Sequence, residues 1–134
     1  MDWRFVSATF IKLIGALPLT LSVWFLSVVF GALVAAGVTW MRVSGSKPLM
    51  GLARAYVAVF RGTPLLIQLF IVYYGLASLP AVRASVFWPF LRDAFNCGVL
   101  SLGLCTAAYQ AEIFRGALLA VPHAQVEAAR NTSA

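Results

Sequence analysis

An all-α integral membrane protein with three transmembrane helices is the fold class this sequence predicts, and three observations carry it. Of the 134 residues, 62% are hydrophobic and only 10% charged, giving a mean hydropathy of +0.91, well above that of a soluble domain. Charges are missing from three stretches of 29, 21 and 18 residues, between Lys12 and Arg42, Arg61 and Arg83, and Asp93 and Glu112. Each approaches or exceeds the length of about 20 apolar residues that crosses a bilayer core as a helix. The alternating segments of roughly ten residues that a membrane β-barrel requires are not visible.

The first span is expected at 13–41. It is longer than the roughly 7–15 apolar residues of a secretory signal core, which favours a membrane helix. A basic loop follows at 42–54, with the Ser, Gly and Pro of a turn between helices, and the second span is expected at 55–80. An external loop at 81–93 carries Phe87, Trp88 and Phe90 around Pro89. Such aromatic side chains suit the membrane–water boundary, as an anchor or as a contact for an external partner. The third span is expected at 94–114, and an amphipathic tail occupies 117–134.

Orientation follows from the basic residues. Arg4, Lys12, Arg83 and Arg92 fall on one side of this topology, and Arg42, Lys47, Arg54, Arg61, Arg115 and Arg130 on the other. The richer side is cytoplasmic by the positive-inside rule, which places the N-terminus outside. The net charge of +6 is spread over loops and therefore reads as topology, with no nucleic-acid partner.

Within the spans, Gly31, Ala35, Gly37, Gly98, Gly103, Ala107, Ala108 and Ala111 mark faces where helix backbones approach closely. The segment Arg61-Gly62-Thr63-Pro64 predicts a kink or unwound turn, because Pro64 lacks an N–H and clashes with the carbonyl four residues earlier. Arg61 either extends to the headgroups or marks a hinge beside a transport pathway, where carriers break their helices. Glu112 has Arg115 one helical step away and is read as an ion pair or as an acidic group beside a pathway. Cys97 and Cys105 lie about 12 Å apart along one helix axis at a 1.5 Å rise per residue, too far for a disulfide. With a single His, no metal site is expected. No phosphate-binding loop, nucleophile elbow or dyad is present, so no catalytic residue is assigned.

Two segments, FRGTPLLIQLFIVYYGL at 60–76 and AAYQAEIFRGALLAVPHAQVEAAR at 107–130, resemble the polar-amino-acid permease subunits of bacterial ABC importers, of the histidine/lysine/arginine/ornithine and octopine/nopaline kind. VFWPFLRDAFNC at 86–97 echoes them, and the likeness runs from about residue 15 through most of the chain. It implies one partial permease domain over 1–134, the N-terminal part of a type I importer fold. It makes Arg61, Gly62, Thr63 and Pro64 the family signature at the inner end of the second span.

The resemblance also implies a cytoplasmic coupling helix. Glu127, Ala128 and Ala129 match the start of the family's EAA motif, and Val121, Pro122 and Gln125 match the element before it. Ala124 and Ser133 stand where the family has glycine, and two further helices expected of such permeases lie beyond Ala134, so a shortened product is expected.

On this resemblance the chain is a permease subunit for polar or basic amino acids or opines in the bacterial inner membrane. It is a transporter subunit rather than an enzyme and binds no cofactor itself. ATP is hydrolysed by a separate subunit, and the other partners are a second permease subunit, a periplasmic solute-binding protein and membrane lipid. The alternative is a structural or regulatory membrane fragment without transport of its own. A self-contained secondary carrier is disfavoured by the lack of an intramembrane ionisable network.

Overall fold

The computed structural model describes residues 2–133. Helix α1, Trp3–Val43, is 41 residues long, about 60 Å at 1.5 Å per residue and so about twice the thickness of a hydrocarbon core. It begins well before residue 13. Pro18 lies within it without ending it. All residues from Asp2 to Ser22 are exposed, and burial begins in the second half at Ser27, Gly31, Ala35, Val38 and Thr39.

The turn after α1 is much shorter than the loop expected at 42–54. Gly45 takes φ +75°, the left-handed conformation that only glycine adopts without cost. Pro48 then fits the first turn of α2, Lys47–Gly62, where its missing N–H has no helical partner to lose. Helix α2 is amphipathic: Ala53 and Val57 are buried, while Lys47, Arg54 and Arg61 recur every seven residues along a neighbouring face.

The span expected at 55–80 is divided. Helix α2 ends at Gly62, and α3 (Leu65–Phe70), a wide π turn (Ile71–Gly75) and α4 (Leu76–Ser78) continue it at an angle of 108°. Short helices α5 (Pro80–Arg83) and α6 (Trp88–Leu91) occupy most of the expected external loop. Then come α7, Ala94–Ala120, and α8, His123–Thr132. Asp93 starts α7 by accepting a hydrogen bond from the Phe95 amide at 3.1 Å, an N-cap. The third span therefore runs six residues beyond 114, since nothing breaks the helix before Val121-Pro122.

The core is the seam between α1 and α7. Gly31, Ala35, Val38 and Thr39 of α1 and Gly103, Ala107, Ala108 and Ala111 of α7 are all buried. A Cβ on Gly31 would stand 3.0 Å from the Gly103 carbonyl oxygen, and one on Gly103 would collide with the Phe30 ring. The small residues thus set the backbone separation. Gly37 and Gly98 do not belong to the seam: a Cβ at either meets nothing within 4 Å.

The two long helices run in the same direction. Ser27 Oγ donates to the Val99 carbonyl, Thr39 Oγ1 to that of Ala111, and Arg42 meets Glu112, so position advances together along both. If both cross the membrane, the chain between them must return across it. In that case the bent run from α2 to α4 is the returning segment, broken partway.

Leucine at Gly31 should destabilise the bundle by about 1–3 kcal/mol through overpacking, whereas Gly37→Ala should cost nothing measurable. Denaturation in detergent micelles checks both, and equal effects at the two sites would dismiss the seam as the organising contact.

Candidate functional site

Three features stand apart from the seam: the break at 61–64, a charged cluster where α1 and α7 end, and the separate helix α8.

At the break, the sequence-predicted Arg61, Gly62, Thr63 and Pro64 are exposed, but their backbone is tied down. In a continuous helix the N–H of residue 64 would donate to the Phe60 carbonyl, and proline has none. Gln68 supplies that donor from the next turn. Its Nε2 lies 2.9 Å from the carbonyl oxygens of both Phe60 and Thr63 and 3.1 Å from Thr63 Oγ1, and only 7% of the residue is exposed. Thr63 closes the end of α2 by bonding the Val59 carbonyl through its amide at 3.1 Å and its hydroxyl at 2.5 Å. Broken backbone at membrane depth must be satisfied internally, and one amide does most of that here. The Arg61 guanidinium, read from sequence as reaching to headgroups or marking a hinge, lies 5.2 Å from the centre of the Tyr109 ring, a cation–π distance. Tyr56 adds a second tie from α2 to α7, donating to the Leu104 carbonyl at 2.6 Å.

The charged cluster corrects the expected pairing. Glu112 does meet Arg115, but at 3.3 Å and with Arg115 45% exposed. The closer partner is Arg42 of α1, whose Nη1 stands 2.5 Å from Glu112 Oε1, with the two side chains only 11% and 23% exposed. Arg42 is 70 positions away in sequence, so helical spacing reveals nothing of it. It sits in the last turn of α1, where the helix dipole favours a cation. These groups line an open cleft of about 460 Å³ together with Val43, Met50, Arg54 and Leu119.

Helix α8 carries the predicted coupling residues. Pro122 precedes it, and Gln125, Glu127, Ala128 and Ala129 lie within it. Every described residue from Val121 to Ser133 is exposed, and the tail's last residue, Ala134, lies outside the described residues. The Gln125 amide bonds the Pro122 carbonyl at 3.0 Å, opening a new helix after the Val121-Pro122 break. Its groove, formed by Val121, Gln125, Val126, Ala129, Arg130 and Ser133, shares no lining residue with the signature at 61–64. Among the described residues, no three His, Cys, Asp or Glu side chains group to hold a metal, and Cys97 and Cys105 are free.

The octopine transport system permease protein of Rhizobium radiobacter is 50% identical over 129 residues, covering 96% of this chain and 53% of that protein. The nopaline transport system permease protein of Agrobacterium fabrum is 41% identical over 131 residues, covering 97% of this chain and 54% of that protein. A crystal structure of an amino acid ABC transporter with histidines superposes with a TM-score of 0.79 at 35% identity, covering 98% of this chain and 57% of that one. These curated relatives of the chain are named as permease proteins of opine transport systems. The histidine/lysine/arginine/ornithine transport system permease protein of Escherichia coli K12 is a further relative, 42% identical over 113 residues. No family model matches. This permease homologue spans about half the length of the curated relatives it matches, 53% in the first case.

The sequence reading missed Gln68, Arg42 and Tyr109. Only Gln68 had a legible signal, as a lone amide in an apolar run just after a proline. A double-mutant cycle should give a coupling of about 1.5–3 kcal/mol for Arg42 with Glu112 and at most about 1 kcal/mol for Arg115 with Glu112; the reverse order would restore Arg115 as the principal partner. Gln68→Leu strands the Phe60 and Thr63 carbonyls and should cost about 1–3 kcal/mol while speeding amide exchange across 59–68. Unchanged exchange there would show that the break is held by other contacts.

Proposed function

We propose that this permease homologue forms part of the translocation path of an ATP-driven importer for polar or basic amino acids or opines, and that α8 docks on a separate ATPase subunit. The supporting observation is α8 itself. It is ten residues long, too short to span, and fully exposed, and it is held off α7 by a proline break. A helix that neither crosses the membrane nor packs on its own bundle is suited to a partner. Its residues Glu127, Ala128 and Ala129 are those that resemble the family's coupling motif.

In this reading the chain lies in the bacterial inner membrane with its N-terminus periplasmic, which puts α8 and the cleft at Glu112 on the cytoplasmic side. A second permease subunit completes the path, and a periplasmic solute-binding protein delivers the substrate. The chain binds no cofactor and hydrolyses no ATP, which is bound on the partner. The break at 61–64 acts as a hinge of the moving core: Gln68 holds the bend with hydrogen bonds that can be exchanged, whereas the α1–α7 seam is fixed by close backbone contact.

Glu127→Lys, with the chain co-expressed with its ATPase and partner subunits, should leave membrane insertion intact while reducing ATPase co-purification and uptake together. Loss of one partner of a buried charge-assisted contact corresponds to about 2–5 kcal/mol. Unchanged association and transport would instead make α8 a helix that merely lies on the membrane.

A further inference from the structure

The cleft between the ends of α1, α2 and α7 holds more positive charge than its surroundings neutralise. It is lined by three guanidinium groups, Arg42, Arg54 and Arg115, against a single carboxylate, Glu112. Glu112 is engaged by Arg42 and more weakly by Arg115, so both its oxygens are in use and Arg54 gains no share of it. The Nε of Arg42 is buried without a partner. The other acidic side chains lie elsewhere: Asp2 and Asp93 precede the N-terminal ends of α1 and α7, and Glu127 is out on α8. A volume of about 460 Å³ is ample for a phosphate group and its ester substituents. The remaining lining, Val43, Met50 and Leu119, is apolar and gives the cleft one greasy wall.

We propose that this cleft is a binding site for a phosphate-bearing anion, with the headgroup of an anionic phospholipid as its occupant. Arginine forks match phosphate oxygens bidentately, and basic pockets between membrane helices at the aqueous boundary take such headgroups. The apolar wall accommodates the start of an acyl chain, which free phosphate has no means to use. Arg54 is the residue free to grip the phosphate, and Arg115 turns towards it from its weaker contact with Glu112. Arg42 remains committed to Glu112 and holds the cleft open. The site depends only on the helices crossing a membrane and not on what the chain transports.

The test is native mass spectrometry of the full chain released from micelles containing equal amounts of phosphatidylglycerol and phosphatidylcholine, with inorganic phosphate added in a parallel arm. The wild-type chain should retain phosphatidylglycerol in preference to phosphatidylcholine. Arg54→Gln should lower that retention about fivefold, the share of one basic residue near a membrane surface, while Lys12→Gln, at the far end of α1, should not. Should Arg54→Gln fold poorly, Arg115→Gln gives the same readout from α7. Displacement of the lipid by millimolar inorganic phosphate would overturn the lipid assignment in favour of a soluble phosphate. Equal retention of the two lipids by the wild-type chain, or no change in either arginine variant, would overturn the site itself.

Discussion

The close approach of α1 and α7 is the contact on which the rest depends. Lipid chains are as apolar as the side chains facing them, so helices in a membrane gain little from hiding hydrophobic surface and associate through packing. Here that packing needs residues with almost no side chain at Gly31, Ala35, Gly103, Ala107 and Ala111. Because the helices run in the same direction, the seam also aligns their ends. Arg42 and Glu112 meet only because the register set further up the seam brings them level. The charged cleft is thus a consequence of glycine and alanine positions several turns away.

The parallel arrangement dictates the role of the middle segment. It has to return the chain between the two long helices, and it does so with a bend of 108°. A bend of that size exposes carbonyls that a straight helix would pair, and hydrocarbon offers no water to satisfy them. Gln68 meets the need with a side-chain amide in place of the missing proline N–H. The seam offers few alternative arrangements, since its backbones are already in contact. The bend rests instead on side-chain hydrogen bonds and on Arg61 over Tyr109.

Much of the bundle's exposed surface is apolar. Leu33, Trp40, Ile113 and Leu119 are each more than 60% exposed, together with the N-terminal half of α1. In a membrane such surface meets acyl chains or further helices at no cost. The polar α8, by contrast, is exposed on every side beyond the end of α7.

The helical class, the apolar segments, the break at Pro64 and the separate tail helix were legible in the sequence, because each follows from composition or from local chemistry. Missing charge marks a membrane segment, and proline marks a broken turn without reference to anything distant. The small-residue faces were legible as a type, but not which members would pack, since Gly37 and Gly98 look the same as Gly31 and Gly103 until a neighbouring helix is placed. Helix ends were less legible. The loop at 42–54 proved to be mostly helix because Pro48 starts one and Gly45 makes a three-residue turn sufficient. Only the tertiary structure decided that Glu112 belongs chiefly to Arg42 and that Gln68 holds the break. The angle between α2 and α3 and the cleft containing Arg54 were also decided there. The reason is physical: Arg42 and Glu112 are 70 positions apart and meet only once α1 and α7 have settled into register, while the bonds from Gln68 to Phe60 and Thr63, though near in sequence, form only when the chain bends between α2 and α3.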